Sequence, residues 1–186
     1  ADRVNLVVHT GNKADIYGLL KNDVAELAIT GSEPESTMYE YQKLDKERLV
    51  LVMNRVQGKL IGSREVTASL LNTHKVVAYD EQLPLIRRYF ADVFNAKCDS
   101  PVAAICPDIR AIASIVTSGV GYSVLPDYLC KQGIKQGELI QLGKPGPEND
   151  LYLVWKKGAL SNPRVDFAKD VITAFTNLNY LAEYPS

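Results

Sequence analysis

Short apolar runs of strand length alternate with helical periodicities along nearly the whole chain, and this alternation restricts the fold more than any other feature. Strand-type runs occur at Val4–Val8, Leu27–Ile29, Leu49–Met53, Val76–Tyr79, Val102–Cys106, Tyr122–Leu125, Leu139–Leu142 and Leu151–Trp155. Several are continuously apolar, as strands of a parallel sheet covered on both faces are. Between them, Ile16, Leu19 and Leu20 recur at helical spacing over 12–22, behind Asn12, a favoured N-cap residue. Over 82–95, Leu85, Ile86, Tyr89, Phe90, Val93 and Phe94 form a broad stripe after Asp80. Over 108–118, Ile109, Ile112, Ala113 and Val116 follow Asp108 and stop at Gly119. A last helix is expected over 163–178, with Pro163 in its first turn and Ala168, Val171, Ile172 and Phe175 facing inward. Strand and helix in this order make an α/β protein.

Two stretches interrupt the pattern. Val56-Gln57-Gly58-Lys59-Leu60-Ile61-Gly62 is glycine-punctuated, and Gly143-Lys144-Pro145-Gly146-Pro147 is rich in turn formers. Each adjoins a strand. They read equally as crossings between two substructures through antiparallel hinge strands or as surface loops of a single domain.

Composition removes several classes of function. Lys and Arg number 21 against 22 Asp and Glu, and 46% of the 186 residues are hydrophobic. A disordered chain needs fewer apolar residues and a charge imbalance. A membrane span needs roughly 18 consecutive apolar residues, and the densest run here, Leu49–Met53, is only strand length. A self-sufficient nucleic-acid binder carries a basic surplus that this chain lacks. Cys98, Cys106 and Cys130 are odd in number and irregular in spacing, which is no disulfide framework and points to a reducing compartment. His9 and His74 lie far apart in sequence and away from the cysteines, so no metal-ligand spacing arises and no metal or cofactor is expected. The opening Ala1-Asp2-Arg3-Val4 has neither a signal-peptide pattern nor an initiator Met, which reads as part of a longer cytoplasmic protein.

The catalytic inventory is thin. No nucleophile elbow, phosphate-binding loop or zinc-protease helix occurs. Gly119-Val120-Gly121 begins like a dinucleotide fingerprint but leaves a helix and enters a strand, which favours a helix C-cap and tight turn. Cys106 alone stands at a strand end, and no histidine lies near it in sequence to activate it.

Strand ends are where an open α/β sheet binds ligands, facing helix N-termini. Three junctions have this form: Thr10-Gly11-Asn12 after His9, Tyr79-Asp80-Glu81-Gln82, and Cys106-Pro107-Asp108. Thr30-Gly31-Ser32 is a fourth, small and polar, strand end. These residues form the candidate site. They offer amides, hydroxyls and carboxylates without a nucleophile, which is recognition chemistry rather than turnover. The alternative for Asn12, Asp80 and Asp108 is that each only caps its own helix.

Three segments resemble the LysR-type transcriptional regulators. Ala25-Glu26-Leu27-Ala28-Ile29, after a helix ending Leu19-Leu20-Lys21-Asn22-Asp23, is similar to their leucine-rich stretch ending aspartate-leucine-alanine-isoleucine, with Glu26 for the aspartate and Asp23 for a glycine. Ile115 to Pro126 resembles their segment valine-x-x-glycine-x-glycine leading to leucine-proline. Leu151-Tyr152-Leu153-Val154-Trp155, then Ser161-Asn162-Pro163 and a terminal helix, is similar to their C-terminal end. The order and spacing fit from about residue 4 to 178.

The resemblance implies an effector-binding domain of the type 2 periplasmic-binding-protein-like fold, two α/β lobes joined by two hinge strands. Residues 1–52 with 152–186 would form one lobe and 53–151 the other. A small-molecule effector would lie between the lobes, met by Asn12 in the first and by Tyr79–Gln82 in the second. Asp80 and Glu81 favour an effector with cationic or hydrogen-bond-donor groups. The family also implies a homodimer or higher homo-oligomer, to which the helix faces at 82–95 and 12–22 contribute unless they are core. DNA contact is expected only through an N-terminal winged helix-turn-helix, which these residues do not contain, and the first strand and helix of the first lobe are expected before Ala1. Two rivals share the fold: a transporter's solute-binding protein, against which the unpaired cysteines count, and an enzyme such as a prephenate dehydratase domain, whose hydroxyl and arginine motif is not found.

Overall fold

A computed structural model describes residues 5–31, 33–61 and 65–183. In chain order the elements are α1 (Lys13–Lys21), β1 (Leu27–Thr30), β2 (Tyr39–Asn54), α2 (Arg55–Ile61), α3 (Ala68–Leu71), β3 (Val76–Ala78) and α4 (Pro84–Phe94). They continue with β4 (Val102–Ile105), α5 (Ile109–Thr117), β5 (Tyr122–Pro126), α6 (Asp127–Gln136), β6 (Leu139–Leu142) and β7 (Glu148–Lys156). A 3-10 turn at Ala159–Ser161 leads into α7 (Pro163–Glu183). The chain divides into two compact units, 1–46 with 150–186, and 47–149. It leaves the first unit within β2 and re-enters it within β7.

In the first unit β1 pairs antiparallel with β7, from Leu27 opposite Trp155 to Thr30 opposite Tyr152. Helix α1 packs on β1, and Leu20 meets Tyr152 and Val154 in a small core flanked by Tyr17, Ala28 and Tyr39. The Tyr17 and Tyr39 rings meet edge to face, with centroids 5.3 Å apart. Lys156 ties the end of α1 to this sheet, donating to the Lys21 carbonyl at 2.8 Å and pairing with Asp23 at 2.7 Å.

Two expectations fail in this unit. The apolar run at 4–8 is not a strand over its described residues, and Leu6, Val7 and Val8 are exposed. A strand needs a neighbour to satisfy its N–H and C=O groups, and none among the described residues pairs with it. In α7, Val171 and Phe175 are 50% and 66% exposed rather than inward. Helical spacing shows which side chains share a face, but only a packed neighbour buries that face.

The sheet of the second unit runs in the order β6, β2, β5, β3, β4, with β2 antiparallel to β5 and β6, and β3 parallel to β4 and β5. The continuous run Leu49–Met53 lies between two cores. Leu49, Leu51 and Met53 pack with Ile86, Tyr89 and Phe90 of α4, while Val50 and Val52 pack with Ile112 and Val116 of α5 and Cys130 of α6. Alternate residues therefore serve opposite faces, each buried side chain contributing about 1.5–3 kcal/mol. The run is apolar because both faces are covered, although β2 itself pairs antiparallel.

Residues 55–61, expected as part of a glycine-punctuated break, are helix α2. Gly58 is there for packing: a Cβ would lie 2.3 Å from Ile140 Cγ2 of β6. Gly119 lies just past the end of α5 with φ +89°, the C-terminal cap and turn expected of the Gly119-Val120-Gly121 segment.

Candidate functional site

Strands β3, β4 and β5 run parallel, so their C-terminal ends share one edge of the second unit's sheet. Ala78 stands opposite Ile105, and the Cys106 N–H donates to the Ala78 carbonyl at 2.8 Å. The junctions Tyr79–Gln82 and Cys106–Asp108 are thereby brought side by side. A third junction, Pro126-Asp127-Tyr128, emerges from β5 at the same edge. The sequence reading missed it because α6 was not recognised: Leu129, Cys130 and Ile134 are its main apolar residues, and Gly133 interrupts it. Pro126 before Asp127 at a strand end was the available signal.

Three aspartates at this edge accept hydrogen bonds from backbone N–H groups. Asp108 caps α5, accepting from the N–H groups of Arg110 at 2.8 Å and Ala111 at 3.4 Å. Asp127 accepts from the Tyr128 N–H at 2.9 Å and the Arg48 N–H of β2 at 3.3 Å. Asp80 accepts from the Gln82 N–H at 2.8 Å, closing an Asx turn. It does not cap α4, which starts at Pro84 behind Leu83 (φ +52°) and has no side-chain cap. Proline at the first position supplies the helical φ there and needs no hydrogen-bond partner for its nitrogen.

Half-buried Glu47 stands close to this group. Burial raises its carboxyl above the usual range, the nearby Asp127 carboxylate adds to the rise, and the Asn149 amide (3.2 Å) and the Arg88 guanidinium oppose it. Burial also raises the Tyr128 phenol, reinforced by Glu47 and Asp127 and opposed by Arg110. Carboxylates and guanidinium groups from β2, α4, α5 and α6 thus feel one another at the same edge. Tyr79 and Cys106 are half-buried against the α5-facing core, leaving Glu81, Gln82, Pro107 and Asp108 to solvent.

In the first unit Asn12 begins α1 with a reciprocal capping box. Its side-chain oxygen accepts from the Asp15 N–H at 3.0 Å, and the Asp15 carboxylate accepts from the Asn12 N–H at 3.1 Å. Gly11 is required by this turn, since a Cβ would lie 2.8 Å from that of Asp15. Thr10 and Asn12 are exposed, Thr30 is buried at the end of β1, and Gly31 is exposed. Ser32 lies outside the described residues.

The family model described as the LysR substrate binding domain matches residues 1–175. The chain belongs to this LysR family. It is 34% identical over 145 residues to the HTH-type transcriptional regulator AbaB of Streptomyces antibioticus, a match covering 75% of this chain and 48% of that protein. The chain therefore spans about half the length of this curated relative. Among solved structures it resembles ArgP from Mycobacterium tuberculosis, with TM-score 0.83 and 19% identity over 95% of this chain and 60% of that one. It also resembles full-length LysG from Corynebacterium glutamicum with bound effector Arg, with TM-score 0.70 and 17% identity over 92% and 58% of the two chains. These likenesses establish the periplasmic-binding-protein-like α/β fold of LysR regulatory domains.

Within this LysR domain no group of three His, Cys, Asp or Glu among the described residues is placed to hold a metal. No helix among them is long and apolar enough to cross a membrane. Cys130 is fully buried, and burial pushes its thiol up to about 12, the reverse of what a nucleophile needs.

Proposed function

We propose that this chain is the ligand-sensing part of a LysR-type transcriptional regulator that acts in the cytoplasm as a homodimer or higher homo-oligomer and reaches DNA through a separate winged helix-turn-helix. The match of the LysR substrate binding domain to residues 1–175 carries the reading. The effector is a small molecule met by Thr10–Asn12 at the start of α1 and by Thr30–Ser32 in the first unit, and by the strand-end junctions Tyr79–Gln82 and Cys106–Asp108 in the second. Pro126–Tyr128 joins them, since it emerges at the same sheet edge. The domain regulates rather than catalyses. An effector that favours one arrangement of two hinged lobes shifts their equilibrium, and a coupling of about 1–3 kcal/mol suffices to regulate transcription.

Thermal-shift screening against cationic and hydrogen-bond-donating metabolites, followed by variants, tests this. Because Asn12 also caps α1, each variant is compared with its own ligand-free melting temperature. Asn12→Ala and Asp80→Asn should each lose most of the ligand-induced shift. Full retention of the shift in both variants places the effector elsewhere.

A further inference from the structure

The second unit holds a cavity of about 410 Å³ whose position is opposite to that of the strand-end junctions. Strand direction places it: Lys75 and Gly121 immediately precede β3 and β5, and Met53 lies at the far end of β2, which is antiparallel to β5. Its walls are tied together. Gln57 of α2 donates to the Gly119 carbonyl at 2.6 Å, and Asn54 donates to that of Thr117 at 2.6 Å, latching the start of α2 to the turn after α5. A Cβ on Gly121 would lie 2.3 Å from the Lys75 carbonyl oxygen, which accepts from the Tyr122 N–H at 3.0 Å.

The lining has two characters. Met53 and Ile61 are buried and make an apolar floor with Leu70, while Leu60 and Val120 stand exposed at the mouth. The polar part of the lining includes an exposed lysine, Lys75, and the imidazole of His74. His74 Nδ1 lies 3.0 Å from the Leu70 carbonyl and 3.1 Å from the Thr73 hydroxyl, which donates to that carbonyl at 2.7 Å, so Nε2 is the ring nitrogen without a partner of its own in these contacts. No Asp or Glu lines the cavity among the described residues.

We propose that this cavity is a second small-molecule site, for a hydroxy-carboxylate with an apolar body. The Lys75 ammonium holds the carboxylate, the ligand hydroxyl hydrogen-bonds with His74 Nε2, and the apolar body rests on Ile61, Leu70 and Val120. The site is independent of the strand-end junctions and stands whether or not they bind an effector.

Mandelate is a suitable probe, titrated into the 186-residue chain and followed by amide NMR. Saturable shifts should centre on His74, Lys75 and Gly121. Lys75→Gln, a change at an exposed side chain, should weaken binding about tenfold, the loss expected of one charge-assisted contact. Mandelamide, without the charge, and phenylacetate, without the hydroxyl, should each bind at least about fivefold more weakly. Absence of saturation up to about 10 mM, beyond the weakest useful affinity, overturns the proposal. So do unchanged affinity in Lys75→Gln, phenylacetate binding as tight as mandelate, or shifts confined to 79–82 and 106–108.

Discussion

The Cys106 N–H and the Ala78 carbonyl, 2.8 Å apart, join the ends of β4 and β3 and set two polar junctions side by side. Neighbouring parallel strands present their C-terminal ends together, so one ladder bond brings together residues 79–82 and 106–108, some 25 positions apart in sequence.

Asp108 supplies the N-cap of α5 through two backbone N–H groups. Asp108→Ala should cost about 1 kcal/mol, and Asp108→Asn, which keeps the accepting oxygen, well under half of that. Urea denaturation measures both. Equal losses would show that charge, not capping, is the contribution.

Glu47 makes stability depend on pH. Burial raises its folded-state pKa above the ordinary 4.5, so the folded state holds the proton more tightly than the unfolded chain does. This group's stabilisation is complete below the unfolded value and declines as pH rises through the raised one. Glu47→Gln should therefore melt above the native chain near pH 7, and the gap should close by about pH 4. Melting curves across that range check the sign, and an opposite trend would show that Arg88 outweighs burial.

The three thiols should differ in reactivity. At pH 8 a thiol with pKa about 12 is ionised to roughly one part in ten thousand, and Cys130 is also fully buried. Iodoacetamide should modify half-buried Cys98 and Cys106 in the native protein and reach Cys130 only in urea. Mass spectrometry of peptides reads this directly, and early labelling of Cys130 would contradict its burial.

Gly18 and Gly121 should respond oppositely to alanine. Gly18 lies inside α1 with open space where its Cβ would stand, so Gly18→Ala should stabilise by about 0.5–1 kcal/mol. Gly121→Ala drives a methyl into the Lys75 carbonyl and should cost about 1–3 kcal/mol. The shift in urea midpoint for each variant decides the matter.

Much of the fold was legible because local and tertiary demands agreed. Ile86, Tyr89 and Phe90 lie on one helical face and are buried together, and Asn12 and Asp108 cap the helices they precede. Leu49–Met53 was readable as a strand because both its faces are covered. Where packing alone decided, the sequence misled. Gly58 looked like a break and is a contact with Ile140, and α6 has too little apolar surface to announce itself. Val171 and Phe175 have the spacing of a buried face without being buried.

The sequence by itself determined the α/β class, the family and the polar character of the strand ends, because periodicity, cap residues and short motifs are written in neighbouring positions. Tertiary structure alone decided that Asp80 closes a turn instead of capping α4, that Asp127 joins the same edge, and that Lys75, His74 and Gly121 share a cavity with Met53 and Ile61. Those facts depend on which strands lie side by side and in which direction, and that pairing is settled by burial and hydrogen bonding between residues far apart in the chain.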